Sequence, residues 1–383
     1  MRKILILMSD TGGGHRASAE ALQAVFRERY PDDLQVDMVD LWLDHTPPPL
    51  NQVPKGYRFL VDDVPWLYKL LYRVGEQPLA IEPLLRTASR LLSRPIGQVI
   101  RKHDPDLIVS VHPLMQEVPL RILRRLKRNT PFVTVITDLI SVHPVWYRKD
   151  VTLCFVPSQT AYRLGLRAGL RPDQLRLRGL PIRPAFGRKP RPKAEVRQEL
   201  GLVPDVPMLL MIGGGEGMGR MGETASAIAE RLAADGQGQA KPLAQLVVAC
   251  GSNQRLEEEL TQRTWPIPLL AKGYIPNIWD WMAACDCIIT KAGPGTVAES
   301  MALGLPMVLS GFVPGQESAN VPYVLRNGAG VYLEDPLMLA ELLSGWLGPQ
   351  RDVMAQFAER SRLEGRPQAT FQIVDEIAEL LSL

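Results

Sequence analysis

The chain has 383 residues, 46% of them hydrophobic and 22% charged, with only four cysteines, a balance too apolar for a disordered chain and unsuited to a fibrous or disulfide-stapled one. Its net charge of +3 hides an asymmetry: residues 1–188 hold 28 Lys and Arg against 18 Asp and Glu, a net +10, and residues 189–383 hold 16 against 23, a net −7. The basic half suits an anionic partner, for which a nucleic acid or an anionic lipid surface would both qualify.

Met1-Arg2-Lys3 leads into five apolar residues and then Ser9-Asp10-Thr11-Gly12-Gly13-Gly14-His15. The apolar core is too short for a signal peptide, so the segment reads as a first strand running into a loop. No apolar run in the chain approaches the roughly 20 residues of a membrane-spanning helix. Further strand-like runs are Val36–Val39, Leu107–Val111, Phe132–Ile136 and Thr152–Val156, and then Met208–Ile212, Leu246–Ala249, Cys287–Ile289, Met307–Leu309 and Val331–Leu333, with helix-length amphipathic segments between them. Strands alternating with helices predict parallel sheets covered on both faces, and two such series predict two doubly wound α/β domains. Residues 186–193, with two prolines and four charges, read as the linker, giving domains of 1–188 and 189–383. Ligands of such folds bind at the carboxyl ends of the strands, so two facing domains are expected to place a substrate cleft between them. The final segment, Ala369 to Leu381, reads as an amphipathic helix.

Tyr57 to Tyr72 breaks the sheet rhythm. Tyr57, Phe59, Trp66 and Tyr68 alternate there with Lys55, Arg58, Lys69 and Arg73, a mixture that suits a bilayer interface or, equally on pattern alone, a buried helix. Cys154, Cys250, Cys285 and Cys287 lie in apolar surroundings without C-x-x-C pairing, and read as buried free thiols.

Three glycine-bearing motifs carry the chemistry. Ser9 to His15 allows a tight turn and close ligand approach, but it is neither a dinucleotide fingerprint nor an ATPase loop. His15 closes it at a helix start, where a neutral imidazole with an ordinary pKa of about 6.5 could act as general base, or simply cap the turn. Gly213 to Gly219 follows a strand and offers backbone N–H groups to a phosphate or diphosphate. Thr290-Lys291-Ala292-Gly293-Pro294-Gly295-Thr296 opens another helix, in which Glu299 lies one turn on, placed for a ribose diol. Gln316 and Glu317 follow the next strand and offer the amide and carboxylate that sugar hydroxyls need. Asp104-Pro105-Asp106 reads as a proline turn rather than a metal site.

Taken in order, Met8 to Ser18, Thr137-Asp138-Leu139 with His143-Pro144, the Gly213 loop, Thr290 to Thr296, and Pro314-Gly315-Gln316-Glu317 with Asn320-Val321-Pro322 resemble the monogalactosyldiacylglycerol synthase family. More distantly the chain resembles the transferase that adds N-acetylglucosamine to the peptidoglycan lipid precursor. The resemblance implies a GT-B fold of two Rossmann-like domains and an inverting transfer of galactose from UDP-galactose to 1,2-diacylglycerol, with no cofactor or metal. It implies His15 and Glu317 as catalytic residues, and a donor site of Gly214, Gly215, Ile275, Gly295, Thr296, Glu299, Gln316, Glu317 and Asn320. Gly14, His112 and His143 are expected on the acceptor side. The expected partners are a UDP-sugar, diacylglycerol and anionic membrane lipids, with no nucleic acid. A bacterial type without a transit peptide, peripheral to the cytoplasmic face of the cell membrane, is the expected setting. A UDP-glucose-dependent diacylglycerol β-glucosyltransferase and a non-enzymatic polyanion-binding protein are the alternatives.

Overall fold

A computed structural model describes residues 1–9, 14–46, 48, 51, 78–214, 217, 220–314 and 316–383. In chain order its elements are β1 (Arg2–Met8), α1 (Gly14–Arg29), β2 (Leu34–Asp40), α2 (Leu41–His45), α3 (Pro78–Leu91), α4 (Ser93–His103), β3 (Leu107–Ser110), α5 (Glu117–Arg125), β4 (Phe132–Val135), β5 (Leu153–Val156), α6 (Gln159–Arg167) and β6 (Leu175–Leu177). They continue with α7 (Lys193–Glu199), β7 (Met208–Ile212), α8 (Met221–Asp235), β8 (Gln245–Ala249), α9 (Gln254–Gln262), β9 (Leu269–Lys272), α10 (Ile278–Ala284), β10 (Cys287–Lys291), α11 (Pro294–Leu303), β11 (Met307–Gly311), α12 (Asn320–Arg326), β12 (Gly330–Tyr332), α13 (Pro336–Leu347), α14 (Arg351–Glu364) and α15 (Ala369–Glu379).

The strands form two parallel sheets of six, in the orders β2-β1-β3-β4-β5-β6 and β12-β11-β10-β7-β8-β9. This is the doubly wound α/β architecture expected twice over. β1 shows why it forms. Between β2 and β3, Ile6 pairs with both Met38 and Val109. Ile4, Ile6 and Met8 pack with Leu22, Val25 and Phe26 of α1 on one face, while Leu5 and Leu7 pack with Trp42, Ile96 and Ile122 on the other. A strand covered on both faces reads as an uninterrupted apolar run. The edge strands β6 and β9 escape that signal, because β6 is three residues long and β9 is only partly buried.

The chain divides into two compact units, one of residues 1–184, 314–316 and 368–383, the other of 185–313 and 317–367. The change near the linker falls close to the expected 188/189, but the expected second domain, 189–383, loses its last helix to the first unit. The reason is packing. Phe371, Ile373, Val374 and Ile377 of α15 join the cluster formed by β1 and α1. Thr370 Oγ1 donates to the Ile182 carbonyl at 2.5 Å and accepts from the Ile182 N–H at 2.9 Å, and Glu376 pairs with Arg176 and Arg178.

Asp104 sits in the left-handed region at φ 45° and closes α4, and Asp106 accepts from Arg2 and from the Lys3 N–H. All four cysteines are buried and free. Tyr57, Phe59, Trp66 and Tyr68 lie outside the described residues. Among the described residues, no helix is long and apolar enough to cross a membrane.

Ile373 is fully buried between α15 and the first sheet. Ile373→Ala should cost about 2–5 kcal/mol, measured as a lowered urea midpoint at unchanged slope; a cost under half a kcal/mol would mean that α15 contributes little to the first unit.

Candidate active site

In the first unit, His15, His112 and Thr137 converge from the carboxyl ends of β1, β3 and β4. β1 and β3 are neighbours at the point where the strand order reverses, the place where doubly wound sheets bind ligands. His15 stands in the first turn of α1, 7% exposed. Its Nδ1 lies 2.7 Å from Thr137 Oγ1, and that hydroxyl donates to the Val111 carbonyl at 3.4 Å. Thr137 has a single proton to give, so Oγ1 accepts from His15 Nδ1–H, and Nε2 retains its lone pair.

Burial lowers the His15 pKa to about 4, against a hydrogen bond to Val111 that raises it. The His112 ring meets that of His15 edge-on with centroids 4.5 Å apart. Burial, followed by the charge on His15, pushes His112 well below its ordinary value. Two imidazoles so placed cannot both be cations, and both are neutral at neutral pH. His112 Nδ1 accepts from the Leu114 N–H and His143 Nδ1 from the Val145 N–H, each at 3.2 Å. Both histidines therefore cap single 3-10 turns, Pro113–Met115 and Pro144–Trp146.

Asp138 follows Thr137 in sequence and was assigned no role from sequence. It accepts from Trp146 Nε1 at 2.6 Å and from the side chain of Gln316, which groups with this unit. Burial raises its pKa to about 6, with both hydrogen bonds opposing the rise. Gly14, at the start of α1, is exposed, and a Cβ there would meet nothing within 4 Å.

In the second unit the strand order reverses between β7 and β10, and Gly214 and Lys291 meet at their carboxyl ends. Gly214 adopts φ 77°, and a Cβ on it would stand 2.9 Å from Lys291 Cε. A Cβ on Gly293 would stand 3.3 Å from Lys291 Nζ. The two glycines thus make the space that the lysine occupies. Lys291 pairs with the buried Glu317, whose Oε2 accepts from the Val313 N–H at 2.8 Å. Asn320, 1% exposed, donates from Nδ2 to the Ala292 carbonyl at 2.9 Å, while its Oδ1 has no partner. An unsatisfied buried acceptor beside an ion pair is suited to a ligand hydroxyl.

Gly293 caps α11 and Pro294 is its first residue, so the N–H groups of Gly295 and Thr296 belong to a first turn with no partner inside the helix. Glu299 lies further along that helix, 8% exposed. Ile275 lies in the loop between β9 and α10. The expected donor residues Gly214, Ile275, Gly295, Thr296, Glu299, Glu317 and Asn320 therefore all follow the carboxyl ends of strands in this unit, while Gly215 lies outside the described residues, as do Asp10 to Gly13 of the first motif. Lys291 was not singled out from sequence. A charged residue ending the apolar strand Cys287–Thr290 was the available signal. Among the described residues, no group of three or more His, Cys, Asp or Glu could hold a metal ion.

A family model described as monogalactosyldiacylglycerol (MGDG) synthase matches residues 15–182, and one for the glycosyltransferase family 28 C-terminal domain matches residues 208–346. The chain is 46% identical to the chloroplastic monogalactosyldiacylglycerol synthase of Spinacia oleracea, across 99% of this chain and 73% of that one, and 44% identical to monogalactosyldiacylglycerol synthase 1, chloroplastic, of Arabidopsis thaliana, across 99% and 71%. Among solved structures, MurG of Acinetobacter baumannii has a TM-score of 0.62 at 16% identity, covering 99% of this chain and all of that one. A structure titled as a complex of MnaA from S. aureus with UDP has a TM-score of 0.61 at 16% identity, covering 100% and 98%. These likenesses agree with the GT-B fold. They also correct one expectation. The relatives are plant proteins named as chloroplastic, which overturns the expected bacterial setting on the cytoplasmic face of the cell membrane.

The lowered pKa has a direct consequence. The His15 ring should remain neutral as pH falls through 6.5 and take up its proton only near pH 4, observable in the ¹⁵N shifts of its ring; a midpoint at 6 or above would contradict the buried, neutral assignment.

Proposed function

The chain belongs to the monogalactosyldiacylglycerol synthase family, and from that membership we propose how its residues perform the transfer. The activity is a UDP-sugar-dependent one, moving galactose from UDP-galactose to the free hydroxyl of 1,2-diacylglycerol. The observation that carries the mechanism is the neutral His15 ring, fixed through Nδ1 by Thr137.

Nε2 of His15 takes the proton of the acceptor hydroxyl as its oxygen attacks the anomeric carbon. The carbon–oxygen bond to UDP breaks on the opposite face, and the electron pair leaves with the diphosphate. A single displacement of this kind inverts the centre and gives a β-linked lipid. General base action supplies about 10²- to 10⁴-fold in rate. In this reading, Gly14, His112 and His143 shape the acceptor side.

UDP departs carrying negative charge. Lys291 and the first-turn N–H groups of Gly295 and Thr296 face that charge, and preorganised donors and cations in a water-poor site are the most effective stabilisers of it. The chemistry as proposed uses no resident metal or other cofactor. Glu299 holds the ribose, the backbone near Ile275 meets the base, and Gln316, Glu317 and Asn320 hold the sugar.

The lipid acceptor brings the protein to a membrane, and the +10 charge of residues 1–188 supports docking on anionic lipids. Some of the cations of this half are already engaged, since Arg121 pairs with Glu117 and Arg128 with Asp104. The net charge, more than any one cation, therefore carries this part of the reading.

His15→Ala should lower kcat by about 10²- to 10⁴-fold with UDP affinity unchanged by calorimetry, whereas Lys291→Met should weaken UDP binding by about tenfold or more. A parallel loss of UDP affinity in His15→Ala would remove it as the base. Binding to vesicles should increase with their anionic lipid content and weaken with added salt, at about 1 kcal/mol per cation near the surface; equal, salt-independent binding to neutral vesicles would refute electrostatic docking.

A further inference from the structure

Asp138 is a buried carboxylate of the first unit to which the transfer as described gives no task. Both of its chain neighbours have one. Thr137 Oγ1 lies 2.7 Å from His15 Nδ1, and the Leu139 carbonyl accepts from Ser158 Oγ at 2.7 Å. Ser158 is itself the N-cap of α6. The segment that follows β4 is therefore fixed on either side of Asp138, by His15 and by the start of the helix after β5.

Asp138 Oδ2 accepts from Trp146 Nε1 at 2.6 Å. The Trp146 ring is fully buried, its centroid 6.1 Å from that of His15 and its plane tilted by 49°, within the range over which aromatic rings pack. The Trp146 backbone is set separately, by the turn Pro144–Trp146 that His143 caps and by its own N–H, which donates to the His143 carbonyl at 3.1 Å. The turn fixes where the side chain starts, and Asp138 fixes the indole through its N–H. Burying a carboxylate is unfavourable, as the rise of its pKa to about 6 records. A buried, perturbed carboxyl kept beside a reactive ring points to function.

We propose that Asp138 is a positioning residue for the transfer: its carboxylate tethers Trp146 Nε1–H, so that the indole closes one side of the His15 ring against water. The proposal deepens the reading of His15 as the base and rests on it. Thr137 sets which nitrogen of His15 keeps its lone pair, and Asp138, acting through Trp146, sets how dry the ring is. Burial is the largest influence on the His15 pKa. The titratable groups placed about the ring are His112, in edge contact, and Asp138, reached through the indole. Two routes from Asp138 to His15 have opposite signs. Loss of a nearby negative charge lowers the imidazole pKa further, whereas loss of a wall admits water and raises it from about 4 towards 6.5.

The test uses the full chain and compares wild type with Asp138→Leu, Asp138→Asn and Trp146→Phe. It follows the ring ¹⁵N shifts of His15 with pH, and kcat with UDP-galactose and diacylglycerol. Asp138→Leu removes the acceptor. It should raise the His15 midpoint by about one pH unit or more and lower kcat about ten- to a hundredfold, with UDP affinity unchanged. Asp138→Asn keeps an oxygen for the indole N–H, and should hold the midpoint near that of wild type and restore most of kcat. Trp146→Phe removes the donor but leaves Gln316 on Asp138, and should move the midpoint upward as well; it decides the matter if Asp138→Leu does not fold. A midpoint unchanged or lowered in Asp138→Leu or Trp146→Phe would overturn the tether, as would Asp138→Asn impaired as much as Asp138→Leu. Failure of the base reading shows separately, as a His15→Ala variant that keeps its kcat, because the ring shifts report the tether whether or not His15 takes the proton.

Discussion

A strand buried on both faces cannot carry an unpaired polar side chain through its middle, and this constraint sets where chemistry resides in both units. In the first unit, Ile4 to Met8, Leu107 to Val109 and Phe132 to Val133 are wholly apolar and buried. The polar residues His15, His112, Thr137 and Asp138 come only after those strands have ended. The second unit repeats the arrangement. Lys291 ends a buried apolar strand, and Glu317 and Asn320 follow the next one. Convergence at the carboxyl edges follows from parallel strands whose buried positions admit a polar group only when it is paired, as Thr134 is with Gln116.

The two groups use opposite electrostatic solutions. Around His15 the protein suppresses charge. Burial drives the imidazoles towards their neutral forms and lifts Asp138 to about 6. Around Lys291 the protein keeps charge and compensates it through Glu317, itself held by the Val313 N–H. Removing one member of a buried pair strands the other at a cost of about 3–5 kcal/mol, so Glu317 keeps Lys291 in the glycine-lined space at little gain in stability.

The His15 site also depends on the end of the chain. α15 completes the helical layer over β1, the strand that delivers His15, and Thr370 exchanges two hydrogen bonds with Ile182. Ser18, one turn beyond His15 on α1, donates to the Pro181 carbonyl at 3.2 Å. His15 is thus held from its own helix, from Thr137, and from the segment against which the last helix packs.

Much of this was legible in the sequence because it depends on local pattern. Uninterrupted Val and Ile runs marked the central strands, glycine clusters marked the turns after β7 and β10, and His15 stood out at the junction of loop and helix. The short edge strands β6 and β9 gave no such pattern, since half-covered strands need no continuous apolar run. Asp138 and Lys291 were visible as residues but silent as to role, because a carboxylate becomes noteworthy only once burial raises its pKa, and a lysine only once two glycines and a glutamate surround it. The sequence by itself determined the two α/β series and the glycine turns. Tertiary structure alone decided that the last helix returns to the first unit and that His112 and His143 cap turns. The former depend on residues a few positions apart, whereas the latter depend on contacts between residues tens to hundreds of positions apart, which no local periodicity encodes.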